Sequence, residues 1–351
     1  MPKETMTGRE RWLAVLNREK PDRIPMDYWA TPEANSKLCE HVDCDIDTAL
    51  KRLHVDLPLC VGGNYVGPKP SEGQDIFGVK TVEMDYGTGS YNESITSPLA
   101  GFNSVAEIEA NYTWPSPDWW DYSHLPEAIR GNEDRVVKGG GSEPFLVYKR
   151  LRGDMQAFMD LIENPEIVHY CLNKLFDLAY QDTLRIFETI PGQVNVTYIA
   201  EDVGGQNALM YSPEQIREFL HPGMRRMIEL TKQNGSHVFH HTDGAVRDIL
   251  PDLIDIGIEV LNPIQWRCPG MEREGLKKDF GDKLIFHGGV DNQYTLPFGS
   301  TQEVRQEVED NIRILGHNGG YILAPCHNIQ SVGPAENVVA MYEAGYEYGW
   351  C

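Results

Sequence analysis

Short apolar segments alternate with longer amphipathic segments along almost the whole chain. Eight apolar runs of strand length each end in turn-forming or polar residues and precede a helical pattern; they are residues 24–29, 55–61, 135–139, 194–200, 237–241, 259–262, 283–287 and 321–325. Strand and helix alternation repeated eight times predicts a (β/α)8 barrel, and an open doubly wound sheet is the alternative. The barrel is favoured because no G-x-G-x-x-G turn follows an early strand.

Start and stop signals bound several predicted helices between these runs. Ser212-Pro213-Glu214 begins a helix that Asn234-Gly235 ends, and Thr301-Gln302-Glu303 begins another that stops before Gly319-Gly320. A long helical pattern over residues 144–190 divides near Asn164-Pro165. The last helix is expected over residues 334–344, with Gly345 as its stop.

Residues 62–134 separate the second and third runs. Alternation over residues 79–84, the glycine-containing turn at 85–89 and a second extended segment at 92–96 predict a β-hairpin. A structureless loop of this length is uncommon in a compact domain. We therefore expect residues 62–134 to form an insertion over the barrel mouth, within a single domain spanning residues 1–351.

Composition narrows the classes of partner. The chain has 31 Lys and Arg against 53 Asp and Glu, a formal net charge of −22, which disfavours nucleic acid and anionic membrane surfaces. No run of 18 apolar residues and no apolar leader pattern in residues 1–17 is present, so we expect a cytoplasmic protein without a membrane span. The seven cysteines lack a regular spacing, which predicts free thiols rather than disulfides.

Polar side chains collect just after the predicted strands. The active site of a barrel lies at the carboxyl ends of its strands, so these residues are the candidates for chemistry. From the fourth run to the eighth they are Glu201 and Asp202; His240, His241 and Asp243; Asn262 and Gln265; His287, Asp291 and Asn292; and Cys326 and His327.

His241 and Asp243 are two residues apart, so on an extended strand end their side chains face the same way. With Cys326 from the last strand they make a His, a carboxylate and a thiolate, the composition of a catalytic zinc site with an open fourth position. The alternative is structural: a strand-end histidine bonded to backbone carbonyls, and a cysteine buried as a small apolar residue.

Several stretches resemble the uroporphyrinogen decarboxylase superfamily. Residues 7–12 followed by Lys20-Pro21-Asp22-Arg23-Ile24-Pro25 are similar to the "ReR…kPDRvPv" opening of that superfamily, and residues 239–244, 288–292 and 321–337 also match its motifs. The resemblance covers most of the chain. It implies a TIM barrel but does not fix the reaction.

Departures from the family motifs distinguish its branches. True uroporphyrinogen decarboxylases carry an R-Q-A-G-R segment that holds substrate carboxylates, whereas residues 27–32 contain no arginine here. The coenzyme M methyltransferases of the other branch bind zinc through H-x-C-G and a distant cysteine. This chain has His241-Thr242-Asp243-Gly244 and Cys326, so an aspartate replaces the first cysteine. A carboxylate makes the metal harder and better suited to an ether oxygen than to a thiol.

The resemblance therefore implies a zinc-dependent methyltransferase of the cobalamin-dependent branch. It would move a methyl group between a small methylated substrate, such as a methoxylated compound, and the cobalt of a separate corrinoid protein. A partner is needed because no D-x-H-x-x-G corrinoid-binding segment occurs in this chain. Barrels of this superfamily are often dimers, so the resemblance also allows a homodimer.

Each candidate residue has an expected role in this reaction. Zinc would bind His241, Asp243 and Cys326, and Glu201, Asp202 or His240 would donate a proton to the leaving group. Substrate orientation is expected from Asn262, Gln265, Asp291, Asn292 and His327.

Other interpretations of the same residues remain open. Glu201 and Asp202 are equally suited to capping the following helix, and Asp291 and Asn292 to forming a turn. The alternative function is a metal-independent decarboxylase or lyase acting on a small carboxylate.

Overall fold

The computed structural model describes residues 3–85, 87 and 89–351. Tyr86 and Thr88, from the expected hairpin turn, lie outside the described residues. The strands within these ranges are β1 (Leu59–Val61), β2 (Asn64–Tyr65), β3 (Thr81–Asp85), β4 (Ser90–Ser94), β5 (Trp120–Asp121), β6 (Val137–Ser142), β7 (Val196–Ile199), β8 (His237–His241), β9 (Val260–Asn262), β10 (Ile285–Val290) and β11 (Tyr321–Pro325).

Seven of these strands form one parallel sheet in the order β1-β6-β7-β8-β9-β10-β11. The segment before β1 takes the eighth position: Met26 bridges Leu323 of β11 in parallel, and the Asp27 amide donates to the Leu323 carbonyl at 2.9 Å. On its other side the Met26 carbonyl accepts from the Asp56 amide at 2.7 Å, just before β1. The eight predicted runs therefore lie at the eight barrel positions, and the (β/α)8 prediction is confirmed.

Fifteen α-helices accompany these strands in the described part of the chain. The α-helices are α1 (Gly8–Leu16), α2 (Pro32–Val42), α3 (Ile46–Arg52), α4 (Val105–Asn111), α5 (Leu125–Ile129), α6 (Pro144–Arg152), α7 (Asp154–Glu163), α8 (Pro165–Thr189), α9 (Pro213–Gln215), α10 (His221–Gln233), α11 (Leu250–Ile256), α12 (Arg273–Phe280), α13 (Thr295–Phe298), α14 (Thr301–Leu315) and α15 (Ala335–Tyr348). Short 3₁₀ turns occupy Pro117–Trp119 and Arg247–Ile249, and a π-helical turn, Ile216–Leu220, joins α9 to α10.

Most of the predicted helix starts and stops agree with the structure. Ser212 caps the α9–α10 helix with a reciprocal Gln215 contact, and the break at Asn164-Pro165 separates α7 from α8. The prediction that Gly345 stops the last helix is wrong, because α15 continues to Tyr348. A Cβ at Gly345 would collide with the side chains of Leu323 and Met26, so this glycine lets α15 pack closely on the barrel.

The barrel interior is closed at its amino-terminal end by α1. Trp12 packs with inward-facing apolar residues of six barrel strands or their starts: Val136, Val196, Phe239, Val260, Ile285 and Ile322. Burying such apolar surface contributes about 25 cal/mol per Å². Because this end is filled, the space left inside the barrel opens toward the carboxyl ends of the strands.

Residues 62–134 contain the antiparallel hairpin β3–β4 and the short pair β2–β5. Arg150 of α6 pairs with Asp75 at 2.7 Å, and Arg152 donates to the Leu99 carbonyl at 2.6 Å. Leu99 and Ile108 share the large outer core with the barrel helices. The insertion therefore packs against the helix that follows β6.

None of the described helices is long and apolar enough to cross a bilayer.

A buried cluster of charges ties α1 to the beginning of the barrel. The Asp56 carboxylate accepts from Arg11 Nη1 at 2.5 Å, from Arg23 Nη1 at 2.8 Å and from the Met26 amide at 3.0 Å. Arg11 and Arg23 are both 1% exposed, so carboxylates rather than water must stabilise their positive charges. Asp22 is the second carboxylate bound to Arg11, at 2.7 Å.

Replacing Asp56 by asparagine is expected to destabilise the fold strongly. The variant leaves two buried guanidinium groups short of negative charge, which costs about 3–5 kcal/mol of unfolding free energy. Urea unfolding followed by circular dichroism measures the effect. Asp255→Asn, which breaks the exposed pair with Arg225, is the matched control and is expected to change stability little. Equal midpoints for both variants would contradict this role of Asp56.

Candidate functional site

A cavity of about 260 Å³ opens at the carboxyl ends of the barrel strands. Its walls come from the segment beside β11 that takes the eighth barrel position and from the seven strands of the sheet or the residues just before them. The lining residues are Asp27, Tyr28, Trp29, Leu57, Pro58, Cys60, Lys138, Tyr198, Phe239, Asn262, His287, Ala324 and Pro325. Aromatic and apolar groups predominate, and a few polar groups converge among them. This is the usual composition of a site for a small molecule.

Three metal-capable side chains meet beside this cavity, next to its lining residues Trp29 and Asn262, at a position that we call its rim. His241 ends β8, Asp243 follows two residues later, and His327 follows β11; one ligand atom from each lies within 4.8 Å of the other two. In the described residues no other group of three His, Cys, Asp or Glu meets that criterion. Two imidazoles and one carboxylate are a set of ligands found in catalytic zinc sites.

The structure differs from the sequence-based ligand set at Cys326. Its thiol donates to the Ile264 carbonyl at 3.1 Å and is 3% exposed, and it lines a small neighbouring pocket instead of joining His241 and Asp243. Burial holds the pKa of this thiol well above its ordinary value. His327, expected to contact substrate, takes the third place.

A chain of hydrogen bonds crosses four barrel positions and ends at His241. Asp27 Oδ2 contacts His287 Nε2 at 3.0 Å, His287 Nδ1 contacts Asn262 Nδ2 at 2.8 Å, and Asn262 Oδ1 contacts His241 Nδ1 at 2.6 Å. The amide nitrogen of Asn262 can only donate, so His287 Nδ1 accepts and His287 Nε2 donates to Asp27. Burial lowers the pKa of His287, which agrees with a neutral ring.

The direction of these hydrogen bonds determines which ring nitrogen of His241 carries the proton. Because Asn262 Oδ1 accepts from Nδ1, the lone pair of His241 is on Nε2, the nitrogen that faces Asp202 Oδ1 at 3.8 Å. His327 is oriented similarly, since its Nδ1 bonds to Asn328 Oδ1 at 2.5 Å and its Nε2 faces Asp243 Oδ2 at 3.9 Å. Both imidazoles therefore offer Nε2 to a ligand, an arrangement typical of metal-binding histidines.

Asp243 is held by its neighbours on both sides. Gln265 Nε2 donates to Asp243 Oδ1 at 3.1 Å while Gln265 Oε1 accepts from the Gly244 amide at 2.8 Å. Asp202 Oδ1 accepts from the Asp243 amide at 3.0 Å. Burial raises the pKa of Asp243, and His241 and His327 oppose that shift. Gln265, expected to bind substrate, is thus hydrogen-bonded to the Asp243 carboxylate.

His240 and Glu201, two of the expected proton donors, are turned away from the cavity. His240 is 0% exposed on the outer face of β8, its Nδ1 contacts the Ile199 carbonyl at 2.7 Å, and burial lowers its pKa to about 4. Glu201 accepts from the Phe145 amide at 3.2 Å, at the amino-terminal end of α6. Burial raises the pKa of Glu201 well above its ordinary value. Glu201 therefore caps α6, whereas the Asp202 carboxylate faces Nε2 of His241 at 3.8 Å.

The remaining expected substrate contacts are largely occupied by the protein. Asp291 is 5% exposed and binds Arg267 at 2.8 Å and the amides of Tyr294 and Thr295, so it organises the loop after β10. Asn292 contacts the Asn328 carbonyl at 3.5 Å and lines the small pocket beside Cys326.

Two residues near the site are absent from the sequence-based assignment, although Trp29 closes the first predicted run. Trp29, 45% exposed, lies with its ring centroid 4.7 Å from that of His327. Glu143 follows β6, which extends to Ser142, three residues beyond the predicted run. Burial raises the pKa of Glu143 to about 7, and repulsion from Asp202 and Asp243 adds to the shift.

Comparisons with known proteins agree with this architecture. The family model described as uroporphyrinogen decarboxylase (URO-D) matches residues 132–348. Uroporphyrinogen decarboxylase of Anaeromyxobacter dehalogenans (strain 2CP-C) is 25% identical over 367 aligned positions, covering 97% of this chain and 99% of the relative. That of Anaeromyxobacter sp. (strain Fw109-5) is 24% identical and covers 60% of this chain and 54% of the relative.

A solved structure extends the likeness over nearly the whole chain. The methyltransferase from Methanosarcina mazei superimposes with a TM-score of 0.69 at 20% identity, covering 98% of this chain and 99% of that one. At this identity the likeness shows the barrel fold.

The stability of the metal-free protein is expected to depend on pH through Glu143. Its carboxyl ionises near 4.5 in the unfolded chain and near 7 in the folded chain, so between these values the folded state holds the extra proton. Stability therefore falls as pH rises through this window, by up to about 2 kcal/mol, and Glu143→Gln removes that loss. Urea unfolding in EDTA at about pH 5 and about pH 8 measures the difference.

The exposed Glu127, paired with Arg130 on the surface, provides the matched control. Glu127→Gln is expected to keep the wild-type pH dependence. A Glu143→Gln variant whose stability changes with pH as the wild type does would show that Glu143 ionises normally.

Proposed function

Because the chain belongs to the uroporphyrinogen decarboxylase (URO-D) family, we propose that it acts in the methyltransferase branch and demethylates a small methoxylated compound. The methyl group would pass to the cobalt of a corrinoid carried by a separate protein. The observation that carries this proposal is the group of His241, Asp243 and His327 at the rim of a small cavity. The methyltransferase structural neighbour supports it.

The donor set fits zinc. Two imidazole Nε2 lone pairs and a carboxylate satisfy its preference for three nitrogen or oxygen ligands in catalytic sites, and the hydrogen bonds to each ring supply the usual outer support. When bound there, zinc supplies a Lewis acid that stabilises negative charge on the demethylated oxygen. A zinc ion held without a thiolate is a harder Lewis acid than one held by the ligands inferred from the sequence. This further favours binding of the substrate through an oxygen atom.

The cavity supports a small substrate over a porphyrinogen. At about 260 Å³ it lies below the range of about 300–1,000 Å³ that holds drug-sized ligands. One cation, Lys138, is present among its lining residues, and an octacarboxylate tetrapyrrole would leave most of its charges unpaired.

The side chains around the metal group divide the remaining tasks. Asp202, 3.8 Å from His241 Nε2 and partly exposed, can exchange a proton with a ligand at the rim. Glu143, whose pKa lies near 7, can resupply that proton at neutral pH. Gln265 keeps Asp243 oriented, and Trp29 shields one side of His327 from water.

A decarboxylase acting on a small carboxylate is the second candidate. The names of the two Anaeromyxobacter relatives support it. That reaction would use buried protonated carboxyls as acids and would not need His327 to bind metal.

The purified protein is expected to hold about one zinc per chain. His241→Ala, Asp243→Ala and His327→Ala should each lose it, since every one removes a donor from the group within 4.8 Å. Cys326→Ala should keep it, because the Cys326 thiol is bonded to the Ile264 carbonyl. Elemental analysis after dialysis measures the content, with the surface variant His169→Ala as control.

Each alternative gives a different pattern of metal content. Zinc lost in Cys326→Ala and kept in His327→Ala would assign the third position to the thiolate that the family resemblance implies. A well-folded wild type that takes up no zinc from solution would remove the zinc mechanism and favour the decarboxylase.

Methyl transfer can be followed directly with free cob(I)alamin as the acceptor. We expect the zinc-loaded protein to convert cob(I)alamin and a methoxylated benzoate to methylcobalamin and the phenol, seen in the visible spectrum. Asp202→Asn should lower the rate about 10²–10⁴-fold while keeping zinc, because it removes proton transfer and leaves the ligands intact.

The same mixture, assayed for carbon dioxide from the benzoate, tests the decarboxylase. Carbon dioxide release without methylcobalamin, unaffected by His327→Ala, would replace the methyltransferase proposal. His169→Ala should match the wild type in both assays.

A further inference from the structure

Lys138 lies inside the barrel, in the wall of the central cavity. It is on the inward face of β6, two residues after the inward-facing Val136. Its ammonium lies 4.4 Å from the ring centroid of Tyr198 and 4.7 Å from that of Phe239. Two aromatic faces thus hold the charge in place without neutralising it.

No carboxylate in the described part of the chain forms an ion pair with Lys138. The acid that shares its cavity, Asp27, already accepts from His287 Nε2 at 3.0 Å. A cation in a largely apolar cavity without a counter-ion is costly unless a ligand supplies the opposite charge. The cost is notable in a chain of net charge −22, where carboxylates are abundant.

The surroundings of Lys138 connect it to the metal group. The ring of Tyr198 lies against the ammonium and also 5.8 Å, centroid to centroid, from the ring of His241. Phe239 likewise lies against the ammonium and 4.9 Å from His287, which Asn262 joins to His241. A compact ligand in the cavity can therefore meet Lys138 at one end and the metal group at the other.

We propose that Lys138 binds the carboxylate of a small methoxylated aromatic acid and thereby selects anionic substrates. That this anion belongs to the substrate rests on the proposed function, whereas the anion site itself stands on the cavity and the unpaired ammonium. The fixed charge also offsets the long-range repulsion that the acidic protein exerts on an anionic ligand. The aromatic walls contact the ring of the ligand.

Calorimetric titration with 4-methoxybenzoate and its neutral analogue 4-methoxybenzamide tests the proposal. We expect the zinc-loaded and the EDTA-treated wild type both to prefer the carboxylate. Lys138→Met, which keeps an unbranched side chain without the charge, should weaken carboxylate binding about tenfold or more and leave amide binding within about twofold. Lys138→Arg should restore most of the preference.

Lys174→Met is the matched control, because Lys174 also lies over a ring, 5.5 Å from the centroid of Tyr170, but does not line the cavity. Thermal unfolding of each variant verifies folding, and Lys138→Gln provides a second neutral variant should Lys138→Met unfold.

The outcomes separate this inference from the proposed function. Carboxylate binding that depends on Lys138 supports the anion site even where methylcobalamin formation fails. Equal affinity of the wild type for the acid and the amide, no binding of either, or carboxylate binding unchanged in both Lys138→Met and Lys138→Gln would overturn the anion site, whatever the result for methyl transfer.

Discussion

The site depends on one directional chain of hydrogen bonds, from Asp27 through His287 and Asn262 to His241. A carboxylate at one end can only accept, and the amide in the middle has one donating and one accepting end, so the proton positions along the chain follow from Asp27. Reversing any link would leave a buried polar atom without a partner, which costs about 1–3 kcal/mol. The chain therefore holds the His241 lone pair toward the rim whether or not a ligand is present.

The alternation of side chains along parallel strands explains how this polar chain coexists with a well-packed core. On β8, Phe239 and His241 face inward while Val238 and His240 face the helices. At six barrel positions an inward-facing apolar residue near the start of the strand packs around Trp12. Polar groups follow at the ends of β8 and β9, where His241 and Asn262 lie. One strand thus contributes to stability at its beginning and to chemistry at its end, as in other barrels of this kind.

Much of the fold could be predicted from the sequence because strand and helix periods are local properties. All eight apolar runs were correctly placed, and His241 and Asp243 were paired by their spacing. The structure brings His327, rather than the expected Cys326, to His241 and Asp243. Cys326 and His327 are neighbours beyond the end of β11, where regular alternation no longer tells which side chain faces the site. Glu143 was missed because the glycines after Lys138 marked an early strand end, although β6 continues to Ser142. Lys138 was treated as part of a strand, since a local pattern does not reveal that a charge lacks a counter-ion.

Barrel closure joins segments almost 300 residues apart, since Met26 pairs with Leu323. The same closure brings Asp27 and Trp29 from the beginning of the barrel to His287 and His327 near its end. During synthesis on the ribosome, the earlier strands can associate before β11 has emerged. Asp27 is not held beside His287, and His327 does not join His241 and Asp243, until that last strand is in place. Under the proposed function, metal capture is then a late event in biogenesis, because a truncated or stalled chain would lack the arrangement proposed to hold the ion.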